Sequence, residues 1–279
     1  MVNANLKIAH MNVHYFRYPL SAFVRSQKEL GRKHIVFWAG VPHLWVDQYG
    51  AEPYEAVLKQ LSEGGLIVDA IAARPYNYTL FMDEESTLNM HSMAYYRRMI
   101  DLTAEWGVPL LAIELWGALR DLKREGQYQN CRNALRQLCE YAEEKQLKLA
   151  VGNVSYSHSA MMNTLSEIKE LVKATDCDNL MVALDYGTAW LNRESAAEWI
   201  DAFGERLQLL YLSDARNNGS GYPLSKGCCA IGKELEELRR LNFGGIVALR
   251  MEQDCCRQDP VLVDMENQMY LDKNKIEGA

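Results

Sequence analysis

Three charged residues end apolar runs in this sequence, and their placement suits chemistry. Residues 181–190, MVALDYGTAW, deliver a single carboxylate, Asp185, at the close of such a run. Glu114 ends LLAIE two residues before Trp116. A buried carboxylate against an indole has a raised pKa, which suits an acid/base group; the same residue could instead bond a neighbouring strand end. Arg250 ends IVALR. Asp185 is open to several roles: metal ligand, acid/base, or half of an ion pair.

The runs that must position these residues number eight: 7–11, 35–39, 66–72, 110–115, 148–152, 181–185, 207–213 and 246–251. They are near-continuously apolar, as a parallel sheet covered by helices requires. Between them lie helical patterns. Tyr128, Cys131, Leu135, Leu138 and Ala142 step by three and four along one stripe, and so do Leu88, His91, Tyr95, Met99, Leu102 and Trp106. Further helices are expected over 21–30, 54–63, 159–175, 195–203 and 233–241, with Gly31, Gly64-Gly65 and Gly107 as stops. Eight alternating units in 279 residues predict one α/β domain over 1–279, a (β/α)8 TIM barrel. A doubly wound open sheet is the alternative. In a barrel the chemistry lies where strands end, on the C-terminal face.

Composition narrows the partners. With 48% hydrophobic and 24% charged residues the chain reads as a soluble globular protein. A net charge of −7, with no Lys/Arg run longer than two, argues against nucleic acid. No apolar stretch approaches the roughly 18 residues that span a bilayer. The start, MVNANLKIAHMNVHYF, lacks a signal-peptide core, so a cytoplasmic location with seven reduced cysteines is expected. Cys228-Cys229 and Cys255-Cys256 follow the last two strands; they lack CxxC spacing and read as ordinary thiols.

Several strand ends resemble a known family. HIVFWAGVPHLW (34–45), ARPYNYTLFMDEE (73–85), LMVALDYGTAW (180–190) and LQLLYLSDARNNGSGYPLSKG (207–227) are similar, in order and spacing, to the sugar isomerase/epimerase group of the xylose isomerase-like TIM barrels. The likeness extends to its ketose 3-epimerase members, such as fructoselysine 3-epimerase. It implies a sugar or sugar phosphate substrate, carbohydrate metabolism and a homodimer or homotetramer. It also implies a divalent metal, often manganese, held by a Glu, an Asp, a His and a Glu ending strands five to eight. The two Glu residues would move a proton beside a carbonyl while the metal stabilises the enediolate.

Carried over residue by residue, that ligand set is degenerate. Asp185 keeps its place, but Gly152, Tyr211 and Arg250 stand at the other three positions, and Val36 replaces the second strand's usual Glu. The family's seventh-strand-loop His is also missing around Gly221-Tyr222, and all six histidines precede residue 159. No cofactor is therefore expected, and Asp185 is expected to pair with Arg250 as a fixed cation in the metal's stead. A substitute metal site from Asp185, Asp214, Glu252 and Asp254 is a weaker alternative. Catalytic candidates are thus Asp185, Arg250 and Glu114. Substrate-binding candidates are Trp38, His43, Tyr76, Asn77, Trp116, Tyr211 and Asp214, with Trp45, Tyr186 and Trp190 extending an aromatic wall. Arg74 and Arg17 could meet an anionic group. His10, His14 and His158 read as structural or exposed. Two functions remain open: an isomerase or epimerase with a changed mechanism, and a non-catalytic sugar-binding homologue or partner subunit.

Overall fold

A computed structural model describes residues 5–256 and 259–274. Parallel strands β1 (Lys7–Met11), β2 (His34–Ala39), β3 (Ile67–Ala73), β4 (Leu110–Glu114), β5 (Lys148–Gly152), β6 (Leu180–Asp185), β7 (Leu207–Leu212) and β10 (Ile246–Leu249) form a closed barrel. β1 pairs with both β2 and β10, so the sheet has no edge and the open-sheet alternative is excluded. An antiparallel hairpin, β8 (Asp214–Arg216) and β9 (Gly219–Tyr222), rises beyond β7.

Each strand buries both faces, which explains the near-continuous apolar runs. One residue in two points into the barrel. Ala9, Ala70, Ala72, Ala112, Ala150, Ala183 and Ala248 keep that interior narrow, and Met11, Val36, Leu110, Met181, Leu209 and Tyr211 fill it. The alternate residues, such as Ile71, Ile113, Val182, Leu184, Leu210 and Val247, pack outward against the helices. The expected helices are present: α1 (Leu20–Glu29), α2 (Glu55–Glu63), α3 (Thr87–Glu105), α4 (Arg124–Glu143), α5 (Leu165–Thr175), α7 (Ala196–Phe203) and α8 (Ile231–Arg240). Gly107 closes α3 with φ of 67°, a conformation cheap only for glycine.

Three features differ from the sequence expectation. The helix expected from residue 159 starts at Leu165, because Thr164 and Glu167 form a reciprocal capping box there. A short helix, α6 (Tyr186–Leu191), follows Asp185 directly. A final helix, α9 (Pro260–Lys273), packs against the start of the chain through Asp264, a buried carboxylate. Asp264 accepts hydrogen bonds from Tyr15 Oη (2.6 Å), Gln27 Nε2 (2.8 Å) and Ser26 Oγ (2.9 Å), and its Oδ1 lies 3.0 Å from His14 Nε2. Burial alone would raise its pKa, but His14 and these donors outweigh that and hold it below the usual carboxylate value.

Candidate functional site at the barrel mouth

Strand alternation determines what enters the mouth. Ala112, Ala150, Ala183, Leu209 and Ala248 face inward, so the residues two further on do as well: Glu114, Gly152, Asp185, Tyr211 and Arg250. Register brings them level, with Glu114 opposite Gly152 and Asp185 opposite Tyr211.

Arg250 is the hub. Its Nη1 makes a very short contact with Glu114 Oε1, and its Nε donates to Glu252 Oε1 at 2.9 Å. Its guanidinium lies 5.1 Å from the centre of the Tyr211 ring. The Arg250 and Glu114 side chains are only 15% and 13% exposed, so this is a desolvated ion pair. Burial opposes the guanidinium charge, but Glu114, Glu252 and Asp185 outweigh it and hold Arg250 charged well above its ordinary pKa. Burial raises the Glu114 pKa, with Arg250 opposing and Glu252 adding to the rise. Asp185 is raised by burial too, against Arg250 and its hydrogen bonds to Thr188.

The expected direct pairing of Asp185 with Arg250 is corrected. Asp185 is the N-cap of α6, and its Oδ1 accepts from the Thr188 backbone N–H at 2.7 Å. A helix beginning one residue later presents unpaired N–H groups that the nearest short carboxylate satisfies. Asp185 acts on Arg250 through space, and the longer Glu114 and Glu252 make the contacts. Asn153, which no sequence signal marked, fixes the Asp185 backbone in both directions: its Oδ1 accepts from Asp185 N at 2.8 Å, and its Nδ2 donates to Asp185 O at 3.0 Å.

Gly152 is held by close approach. A Cβ there would overlap the Ala183 carbonyl oxygen, so no side chain fits between β5 and β6 at this level. The free space bounded by Glu114, Gly152, Asn153, Tyr211 and Arg250 is about 10 Å³, room for about one water. The Tyr211 hydroxyl faces this region buried and without a hydrogen-bond partner, and burial raises its pKa far above the ordinary phenol value.

Above this plug stands an aromatic wall. Trp116 and His158 stack with centroids 3.7 Å apart and planes 12° apart. Tyr76 meets Trp116 edge-on at 5.0 Å, and the Arg74 guanidinium covers the Tyr76 ring at 4.8 Å. His158 therefore joins the site rather than standing apart. Its side chain makes no hydrogen bond among the described residues, and desolvation lowers its pKa while Glu252 opposes and Arg250 assists. Its place in the loop six residues beyond β5 does not show in the sequence that it folds back onto Trp116. Asn77 is exposed nearby.

Other candidates serve the scaffold. Trp38 packs against the barrel interior, its backbone N–H and C=O both bonded to the Asn12 side chain. His43 is 3% exposed and its ring nitrogens are occupied by Asn12 Nδ2 (2.7 Å) and the Tyr18 carbonyl (3.0 Å). These contacts brace the loop after β2 and leave neither ring nitrogen free for a ligand. Asp214, 1% exposed, accepts the backbone N–H groups of Ala215, Gly227 and Cys229 and anchors the hairpin loop. Trp45 is on the surface, while Tyr186 and Trp190 line a separate cleft. Cys255 Sγ contacts the Ser220 carbonyl at 3.5 Å and Cys228 is exposed. Among the described residues no group of three or more His, Cys, Asp or Glu side chains is arranged to hold a metal, and no helix is long and apolar enough to cross a membrane.

Residues 24–272 match the family described as xylose isomerase-like TIM barrel. No curated protein sequence matches the chain significantly. Among solved structures, 3-keto-D-glucoside 4-epimerase from E. coli superposes with a TM-score of 0.79 at 17% identity, covering 96% of this chain and 99% of that one. A putative xylose isomerase from Rhodospirillum rubrum gives 0.80 at 16% identity, with 98% and 100% covered. D-psicose 3-epimerase from Clostridium cellulolyticum H10 gives 0.77 at 15%, with 97% and 98% covered. At these identities the likeness is one of fold.

Proposed function

Because the chain belongs to the xylose isomerase-like TIM barrel family, we propose that it binds a sugar or sugar phosphate at the barrel mouth, with Arg250 as a built-in cation in place of a divalent metal. The observation that carries this is the desolvated Arg250, held charged between Glu114 and Glu252 on the inward face of the strand ends. A fixed guanidinium offers donors to a ligand's carbonyl, enolate or anionic oxygen. Glu252, at 31% side-chain exposure, is the outer partner and the one a ligand oxygen displaces. Trp116, His158 and Tyr76 supply the flat face against which a sugar ring packs. Glu114, with its raised pKa, is the group that holds or moves a proton there.

The family's metal does not fit these residues. Gly152 offers neither a donor nor room for one, Tyr211 presents a neutral phenol, one Asp185 oxygen is committed to Thr188, and Arg250 repels a cation.

One observation favours the second reading, a non-catalytic sugar-binding homologue or the inactive partner of an active subunit. The space beside Glu114 and Arg250 is about 10 Å³, which admits a water but no sugar carbon. The two readings separate in one experiment. Ketoses, ketose phosphates and fructosamines are screened by thermal shift, and every stabilising sugar is then incubated in deuterated water with wild type and Glu114→Gln. Stabilisation with deuterium uptake beside the carbonyl, lost in Glu114→Gln, supports an enzyme. Stabilisation without uptake supports the binding protein. Stoichiometric Mn²⁺ binding with thermal stabilisation refutes the cation substitution.

A further inference from the structure

A second space near the C-terminal rim lies apart from the mouth. It is a cleft of about 590 Å³ between α6, the start of α7, α8 and the tip of the β8–β9 hairpin. Its walls include Tyr186, Trp190, Arg193, Ser195, Asn217 and Glu234. Cavities of this size accommodate sugar-sized and larger ligands.

The polar groups of the cleft divide into those already satisfied and those left free. Glu234 accepts from the Ala196 backbone N–H (3.0 Å) and from Tyr186 Oη (3.3 Å). Burial raises its pKa, against these two hydrogen bonds. Glu194 is likewise committed, to the Leu165 backbone N–H (2.9 Å) and the Trp199 indole N–H (3.1 Å). Ser195 is consumed by its capping box with Glu198. What remains is an indole, a side-chain amide and a guanidinium: Trp190, Asn217 and Arg193 make no side-chain hydrogen bond or ion pair among the described residues. Arg193 holds φ of 63° just past the end of α6, where glycine would carry no steric cost.

An indole face, an amide and an unpaired guanidinium beside two carboxylates already committed to hydrogen bonds suit a ring with C–H faces, hydroxyls and one anionic group. We propose that this cleft is a second ligand site, separate from the mouth, that takes a monosaccharide bearing a phosphate or carboxylate. The anion pairs with Arg193, the ring packs on Trp190, and Asn217 bonds a hydroxyl. Its occupant would also touch α6, whose N-cap is the mouth residue Asp185.

The test follows the Trp190 indole N–H cross-peak, assigned with Trp190→Phe, during titration with glucose 6-phosphate, glucuronate, glucose and inorganic phosphate. Saturable shifts of that peak by at least one anionic sugar, at least tenfold weaker with glucose and with inorganic phosphate, are expected. The comparison of the two anionic sugars identifies the anion. Arg193→Ala should weaken the effective probe at least tenfold and leave its affinity equal to that of glucose. The proposal is overturned if no probe moves the peak up to about 10 mM, if Arg193→Ala leaves the affinity unchanged, or if inorganic phosphate binds as tightly as the sugar phosphate. Occupancy of the mouth is read separately at the Trp116 indole, so failure here leaves the mouth proposal standing.

Discussion

Replacing Arg250 by Met removes the cation while keeping an apolar stem of similar length. Glu114, Glu252 and Asp185 then share the mouth with no opposite charge among the groups that now act on Arg250. Breaking a buried pair by deleting one partner costs about 3–5 kcal/mol. The 15% and 13% exposures of the partners place this pair in that regime rather than among surface bridges. At about 2–4 °C per kcal/mol for a chain somewhat smaller than this one, the melting temperature should fall by roughly 10 °C at neutral pH. The loss should depend on pH. Without Arg250, burial and Glu252 lift the Glu114 pKa further above 4.5. A carboxyl whose folded pKa is raised binds its proton more tightly folded than unfolded, so stability falls as pH rises from about 4.5 through the folded value. The deficit relative to wild type should be smallest near pH 5 and largest near pH 8. Adding Glu114→Gln should recover most of the loss, because the uncompensated charge is gone. Thermal melts of the three proteins at both pH values measure this. A deficit below about 1 kcal/mol, or one independent of pH, refutes the ion-pair account.

Three further outcomes are expected. Gly152→Ala should destabilise by about 3 kcal/mol or more, because its methyl group must displace the Ala183 carbonyl; a near-neutral melting temperature would disprove the close approach. His10, 3% exposed, has its pKa pushed down to about 4, chiefly by burial. A lowered His pKa means the unfolded chain takes up the proton first, so stability falls as pH drops from 6.5 towards 4, by about 3 kcal/mol in all. His10→Leu should flatten that limb in melts across the range, and an unchanged limb would exclude His10 as its source. His158 should titrate below 6.5 by NMR of its ring protons; a midpoint at or above 6.5 would contradict its desolvation against Trp116.

Much of the fold is legible before any coordinates. All eight barrel strands coincide with apolar runs, since a strand buried on both faces has little tolerance for polar residues. The glycine stops and three-four stripes located most helices. α6 escaped notice because six residues are too few to show a period, and α9 because its apolar residues do not gather on one face. The capping box at Thr164 is written in the sequence as T-x-x-E, and it sets the start of α5 later than residue 159. Within the site, Glu114, Arg250, Trp116, Tyr76 and Tyr211 were all found from strand ends and following loops. His158, Asn153 and Glu252's grip on Arg250 depend on where loops fold back, which one-dimensional spacing does not encode.

Sequence alone determined the barrel, the rim on which the inward-facing strand ends meet, and the residue types there: a glycine, a phenol and a guanidinium beside one surviving aspartate. These follow from period-two alternation and from the order of the strands. Only the tertiary structure decided which acid holds Arg250. Three carboxylates act on it, and the choice was made by competition: α6 drew the short Asp185 to its unpaired N–H groups, while Glu114, four strands from β10 in the barrel order, reached the guanidinium across the mouth. The same packing left about 10 Å³ beside Glu114 and Arg250 and opened the cleft beside Trp190. Cavity size is a difference between packed volumes, and it has no signature in any single stretch of chain.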